Sequence, residues 1–144
     1  VEDEIRSLEV SNNVSLIATI KFVREKMVAL QRKLSEAGAV IMDGRDIGTV
    51  VFPEAELKLF MTSDVNVRTQ RRYDELIAKG QDVTFEAVKT NLLERDRIDS
   101  TREDSPLRKA DDAIVLDNSY ISQEEQLKLA ESWVKERMGL VEAE

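Results

Sequence analysis

Charged side chains directly follow a hydrophobic run near the end of the first third of the sequence. The stretch AVIMDGRDIGTVVFP, residues 39–53, places Asp43, Arg45 and Asp46 after four apolar residues. An arginine guanidinium can bind a phosphate with two parallel hydrogen bonds, and an aspartate can orient Mg²⁺ or its water ligands. Gly44 between them allows a sharp backbone turn. Taken alone, the stretch fits a plain turn with an aspartate–arginine pair as well as it fits a phosphate site.

A second group of charges lies in ERDRIDSTR, residues 94–102. Arg95, Asp99 and Arg102 are spaced i, i+4 and i+7, so one helix face carries two cations flanking one acid. By spacing alone, a solvated helix with intrahelical ion pairs is the favoured interpretation. Further charges on the neighbouring faces leave little apolar surface to anchor this helix, which is typical of a lid that closes over a charged ligand. We expect a helical lid over about residues 84–110.

Two further groups give weaker signals. Ser15 and Arg24 are nine residues apart, which separates them by roughly 90° around a helix axis, so both reach one ligand only from a helix lying beside it. A serine near a helix start and a surface arginine are the simpler interpretation. Arg68, Arg71 and Arg72 fall on adjoining faces of a predicted helix, and a solvated face is favoured for them.

The composition limits which chemistry is possible. The 144 residues carry a formal net charge of −8 and contain no histidine and no cysteine. Thiolate metal sites and disulfides are thereby excluded, and any reaction must use other polar side chains. A general nucleic-acid surface needs a basic field, so small anions held in a local arginine pocket are favoured. Because no membrane-spanning run and no signal pattern occur, and cysteine is absent, we expect a cytoplasmic protein without membrane partners.

The apolar pattern predicts one domain in which helices alternate with short strands. Helical spacing covers about residues 15–35, and the run at 39–42 predicts a buried strand. Further strands are predicted at 57–61 and 113–117, and further helices at 64–80, at 85–102 and after Ser122. Strands separated by helices indicate a parallel α/β sheet, and ligands of such sheets bind beyond the carboxyl ends of the strands. The acids and arginine after residue 42 follow one such end.

Four stretches, taken in order and spacing, closely resemble the bacterial cytidylate kinases: DGRDIGTVVFP, RRYDELIAKG, ERDRIDSTR and ADDAIVLDNS. The resemblance extends over nearly the whole chain. It implies a P-loop nucleoside monophosphate kinase fold with a parallel sheet. It also implies transfer of the γ-phosphoryl group of ATP, with Mg²⁺, onto CMP or dCMP.

The resemblance assigns roles to eight residues. Cytosine offers a donor amine and acceptor atoms, which suit an aspartate together with an arginine and a serine. The implied catalytic residues are Arg95, Arg102 and Asp43, the last through water on Mg²⁺ and not as a direct ligand. The implied substrate-binding residues are Ser15, Arg24 and Asp46 for the cytosine edge, Arg45 with Arg102 for phosphate, and Asp99 with Arg95 for the sugar hydroxyls.

The sequence departs from the family at one motif. The phosphate-loop pattern G-x-x-x-x-G-K-[ST] does not occur in the 144 residues, so we expect no useful turnover by this chain alone. In this fold the strand before that loop lies between the strands predicted at 39–42 and 57–61. Three alternatives follow for the sheet: a second chain completes it, the segment was lost after folding, or the remaining strands rearrange.

Two other functions stay open at this point. The first is a kinase for UMP or AMP, from which Asp46 discriminates because a uracil edge lacks the amine that this carboxylate would accept from. The second is a non-catalytic nucleotide-binding or interaction module, which the missing phosphate-loop pattern favours. The full set of arginines and aspartates argues against such a module, since a protein that binds no nucleotide has no need of it.

Overall fold

The computed structural model describes residue 5 and residues 8–140 of the chain. Within residues 8–140, five α-helices and two β-strands make up the regular structure, with a 3-10 turn after the second helix and a π-helical turn before the first strand. None of the described helices is long and apolar enough to cross a membrane. The elements are α1 Leu8–Ile17, α2 Lys21–Leu34, the 3-10 turn Ser35–Ala37, the π-helical turn Ile47–Val51, β1 Leu59–Thr62, α3 Val65–Ala78, α4 Phe85–Thr101, β2 Ile114–Asp117 and α5 Gln123–Arg137.

The two strands form a parallel sheet. Leu59 pairs with Ile114, and the register continues to Thr62 opposite Asp117. Parallel pairing needs a long crossover between the strands, which α3 and α4 supply. The predicted α/β class with a parallel sheet is therefore confirmed. β1 begins two residues and ends one residue later than predicted, and β2 begins one residue later and ends as predicted.

The prediction of a strand at residues 39–42 is wrong. The described part of the chain contains only the two-stranded sheet of β1 and β2. Residues 39–42 have no regular structure, and Ile41 is fully exposed. A strand is stable only when a neighbour accepts its backbone hydrogen bonds, and no described strand lies beside this run. Apolar composition alone did not suffice to form it.

The long helix predicted over residues 15–35 is also wrong, because the chain turns between α1 and α2. At Thr19 both the backbone N–H and the side-chain hydroxyl donate to the carbonyl oxygen of Leu16, at 3.1 and 2.7 Å. A hydroxyl that binds a local carbonyl competes with the helical hydrogen bonds. Ser15 and Arg24 therefore lie on two different helices.

The remaining helix ends follow their predicted signals. The carboxylate of Asp64 accepts from the backbone at the start of α3, and Gly80 follows that helix with a φ of 72°. The hydroxyl of Thr84, which was not among the predicted signals, accepts from the backbone N–H of Ala87 and caps α4. Ser122 and Glu125 form the predicted capping box at the start of α5. These short-range rules hold because each cap needs only residues within one helical turn.

The buried core is small, and its residues come from the π-helical turn, α3, α4 and β2. Its most buried apolar side chains are Val51, Leu76, Val88 and Leu116. Tyr73 on α3 packs edge to face on Phe85 of α4, with ring centroids 6.2 Å apart. α1 also packs against α4. The helix that carries the predicted charged face is thus held on two sides.

Candidate functional site

The site is built around one buried carboxylate on α4. The side chain of Asp99 is only 4% exposed. Its Oδ2 accepts from Arg45 Nε at 3.0 Å, and its Oδ1 accepts from Arg102 Nη1 at 3.3 Å. Residues 45 and 99 are distant in sequence, so tertiary structure brings the two charged stretches together. The solvated interpretation, which spacing alone favoured, is wrong for this face of α4.

A second ion pair joins α2 to the turn before β1. Arg24 Nη2 donates to Asp46 Oδ2, and both side chains are about nine-tenths buried. The π-helical turn positions Asp46, whose carbonyl oxygen accepts from the backbone N–H groups of Val50 and Val51. Arg24 Nε is buried and has no hydrogen-bond partner within the described part of the chain.

Arg32 holds this turn against α2, and it is a positioning residue that sequence reasoning missed. Its Nε donates to the carbonyl oxygen of Val51 at 3.0 Å, and its Nη2 donates to that of Val50 at 2.7 Å. Both acceptors are backbone atoms, so no charged partner in the sequence points to the contact. The one sequence signal for this contact is the spacing of Arg24 and Arg32, which lie two turns apart and so on the same face of one helix.

Arg95 is half-buried and Arg102 is buried, and other cations lie near both guanidinium groups. Burial lowers the pKa of Arg95, and the positive charge of Arg45 lowers it further. Burial likewise lowers the pKa of Arg102, followed by the charge of Arg24. Arginine stays protonated in proteins, so these directions mean that the fold holds the cations at an electrostatic cost. A bound anion would offset that cost.

These contacts and charge effects define one group, the arginine–aspartate cluster. It holds four cations and two anions, which leaves two positive charges in excess in a chain whose net charge is −8. Arg95 Nε is a second buried donor without a partner among the described residues. Such a cluster can bind an anion through directed N–H groups. Its members are Arg24, Arg45, Asp46, Arg95, Asp99 and Arg102.

Two of the predicted site residues make no hydrogen bond or ion pair with the cluster in the part of the chain that the structure describes. Ser15 is buried, at 3% exposure, on α1, and no described hydrogen bond joins it to Arg24 or Asp46. Asp43 is exposed, and no ion pair of the described residues includes it. A Cβ added at Gly44 would lie 2.8 Å from Ile47 Cγ1, so the close side chain, and not a positive φ, favours glycine at this position.

The arginines predicted on a solvated face of α3 are exposed at Arg71 and half-buried at Arg68, and both make contacts with other elements. Arg68 Nη2 lies 2.7 Å from Asp96 Oδ2 and so connects α3 to α4. Arg71 Nη2 donates to the carbonyl oxygen of Asn118 at 2.8 Å, just beyond the carboxyl end of β2. The cross-helix pair holds α4 next to α3, on the turn that also carries Arg95.

An open groove of about 330 Å³ adjoins the cluster between α2 and the segment that follows α4. Arg24 and Arg32 line one side, and Asp104 and Ser105 line the other. The volume is within the range of small-ligand sites. Within the described residues there is no group of three or more acidic side chains that could hold a metal ion.

Comparison with known proteins identifies the relatives of this chain. A family model described as "Cytidylate kinase" matches residues 1–135. The cytidylate kinase of Phocaeicola vulgatus is 58% identical over 137 residues, which are 95% of this chain and 58% of the relative. That of Bacteroides fragilis is 57% identical over 126 residues, covering 88% of this chain and 55% of the relative. The chain thus spans little more than half the length of these relatives, and the resemblance predicted from its motifs is confirmed.

Proposed function

The chain belongs to the cytidylate kinase family, and from this membership we propose that the protein transfers the γ-phosphoryl group of ATP to CMP or dCMP. The products are CDP or dCDP, which places the protein in pyrimidine nucleotide metabolism as a transferase. The observation that supports the proposal best is the arginine–aspartate cluster, with its excess positive charge and its buried donors that find no acceptor among the described residues.

The Arg24–Asp46 pair is proposed to bind the hydrogen-bonding edge of cytosine. Cytosine presents an exocyclic amine that donates, and a carboxylate is an acceptor with several lone pairs. Asp46 Oδ2 is bound to Arg24, and the carboxylate retains lone pairs for that amine. The Nε of Arg24, for which the described residues offer no acceptor, would donate to an acceptor of the base. Ser15 is proposed to complete this edge from α1.

The phosphate groups are proposed to lie on the other half of the cluster. Arg45 is the most accessible of these residues, with a side chain 46% exposed, and the buried Arg102 binds the same carboxylate, that of Asp99. Asp99 and Arg95 would bind the sugar hydroxyls, with Arg95 also near the transferred group. Phosphoryl transfer depends mostly on positioning and charge neutralisation, so a protein without histidine can perform it.

Mg²⁺ and ATP would complete the reaction. Mg²⁺ usually keeps several waters and takes one or two carboxylates together with substrate phosphates, so a single exposed carboxylate fits its needs. Asp43 is the residue proposed to hold it through water. When bound, the ion neutralises charge on the phosphates. Since no phosphate-loop motif occurs in the 144 residues, we propose that they bind CMP without useful turnover by themselves.

The lid role of residues 84–110 is proposed on the arrangement of α4. This one helix carries Arg95 and Asp99, and Arg102 follows its last residue. Any movement of α4 would therefore bring all three to the nucleotide, or withdraw them, together. The Arg68–Asp96 contact would set the resting position of the helix on α3.

Calorimetric titration with CMP, UMP and AMP tests the proposal. We expect selective binding of CMP by the unsubstituted chain. Asp46→Asn replaces an acceptor with a group that also donates, so the ratio of CMP to UMP affinity should fall about tenfold or more. Asp74→Asn is the matched control, because Asp74 lies exposed on α3 and contacts Gln70.

Three results would count against this function. Equal loss of CMP and UMP affinity in Asp46→Asn would remove the cytosine assignment and favour a kinase for another nucleoside monophosphate. Preferential binding of UMP or AMP would do the same. Failure of the chain to bind any nucleotide would favour the interaction-module alternative for these residues.

A further inference from the structure

The guanidinium of Arg102 is held from two directions. On one side Nη1 donates to the carboxylate of Asp99. On the other side Nε and Nη2 both donate to one backbone carbonyl oxygen, that of Ser105, at 2.9 and 2.7 Å. The Arg102 side chain is only 3% exposed. Its orientation is therefore set by two fixed acceptors.

The acceptor at Ser105 is a neutral carbonyl oxygen, so it orients the guanidinium of Arg102 without neutralising its charge. An arginine has five N–H donors in a planar fork, and the three contacts above use three of them. A second carboxylate at this position would orient the fork but would cancel its charge. A carbonyl oxygen orients it and leaves the positive charge and two N–H groups for an anion.

The backbone at Ser105 has an uncommon conformation. Its φ is +51°, in the left-handed region that non-glycine residues seldom adopt, and Pro106 restricts it further. The segment then returns to α4, where the backbone N–H of Leu107 donates to the carbonyl oxygen of Asp99 at 2.7 Å. Strained backbone that the surrounding structure maintains is often found at functional sites. Here it directs one carbonyl oxygen at Arg102.

We propose that Ser105 is a positioning residue, whose left-handed backbone aims its carbonyl oxygen at Arg102 and thereby presents the free N–H groups of that arginine to a nucleotide phosphate. The inference rests on the proposed function, because it takes the phosphate of CMP as the anion. Ser105 acts through its main chain, so its side-chain chemistry is secondary and its allowed backbone angles are decisive.

Two substitutions at residue 105 separate the effect of the backbone angle from the effect of losing the serine side chain. Ser105→Val places a β-branched residue at positive φ, which is strongly disfavoured, so the carbonyl oxygen should turn away from Arg102. Ser105→Gly accepts the same φ without strain and serves as the conservative rescue. Calorimetry with CMP and with cytidine isolates the phosphate, which only CMP carries. We expect Ser105→Val to weaken CMP binding about tenfold with cytidine binding unchanged, and Ser105→Gly to stay within about twofold for both.

The Nε–H resonance of Arg102 gives an independent measurement. In the unsubstituted chain and in Ser105→Gly it should exchange slowly with water, whereas in Ser105→Val it should exchange fast. Unchanged CMP binding in Ser105→Val, or an equal loss for CMP and cytidine, would overturn the proposal. If the unsubstituted chain binds neither ligand, the proposed function fails for these residues. The Ser105 inference is then decided by the resonance, since slow exchange in Ser105→Val would refute it.

Discussion

The two charged faces of α4 carry matched ion pairs in opposite surroundings. Asp99 with Arg102 and Glu94 with Arg97 are both acid–arginine pairs three residues apart. The first pair has side chains 4% and 3% exposed, and the second has 51% and 63%. The exposed pair is the closer one, at 2.7 Å against 3.3 Å. The distance between the charged atoms therefore does not tell which pair contributes more to stability.

Burial determines what each pair contributes. Water screens the exposed pair, so its formation stabilises little. The buried pair has lost its water, and each charge depends on its partner, so removing one partner leaves an uncompensated charge in the interior. The buried face is accordingly the one that holds the cluster. We therefore expect substitutions on the buried face to lower the free energy of unfolding far more than substitutions on the exposed face.

The largest expected effect is that of Asp99→Ala. The change leaves Arg102 and Arg45 without their shared carboxylate, and the free energy of unfolding should fall by roughly 3–5 kcal/mol. Glu94→Ala on the exposed face is the matched control and should change it far less. Urea denaturation of both variants measures the difference. Equal losses in the two variants would show that burial does not distinguish these faces.

The next effect is stabilisation by inorganic phosphate. An anion that binds the cluster should raise the free energy of unfolding by about 2.7 kcal/mol at one hundred times its dissociation constant. Thermal unfolding with increasing phosphate at constant ionic strength measures it. Arg45→Ala should reduce the gain, because it removes the accessible cation of the cluster. Arg97→Ala should retain it, and a similar reduction in both variants would indicate general screening instead of a site.

A smaller effect is expected at the cross-helix pair of Arg68 and Asp96. Their side chains are 35% and 33% exposed, midway between the two faces of α4. A double-mutant cycle with alanine at both positions should give a coupling of about 0.5–1 kcal/mol. Chemical denaturation of the four proteins supplies the values. A coupling as large as that at Asp99 would mean that partial exposure does not weaken the pair.

The smallest effect concerns the titration of Glu94. The hydrogen bond from Arg97 lowers the pKa of Glu94 below 4.5. A carboxyl whose pKa is lowered on folding stabilises the fold above its unfolded pKa, and this contribution is lost as pH falls through the folded pKa. The carboxyl carbon shift of Glu94, followed by NMR during acidification, should report the lowered pKa. Arg97→Ala should return it towards the ordinary range, and no change would exclude Arg97 as the cause.

A second contrast shows where sequence patterns stop being sufficient. An apolar run followed by aspartate occurs at residues 39–43 and again at 113–117. The second run forms β2, because β1 lies beside it and accepts its hydrogen bonds. The first forms no strand in the described structure. The same local pattern therefore has two outcomes, and the presence of a neighbouring strand decides between them.

The amino-acid sequence by itself determined the features that depend on near neighbours. The helix starts at Asp64, at residue 85 and at Ser122, the helix end at Gly80, and the residue types for anion binding are all local. Each needs only contacts within a few residues, so pattern and composition predict it. The motif resemblance likewise used only order and spacing.

Only the tertiary structure decided which charged residues are brought together in the arginine–aspartate cluster. It buried Asp99 with Arg102 and left Glu94 with Arg97 in water, although both pairs have the same spacing. It also brought Arg45 to Asp99 across 54 residues. Burial and long-range contact depend on what packs against a residue, and a single element of sequence does not contain that information.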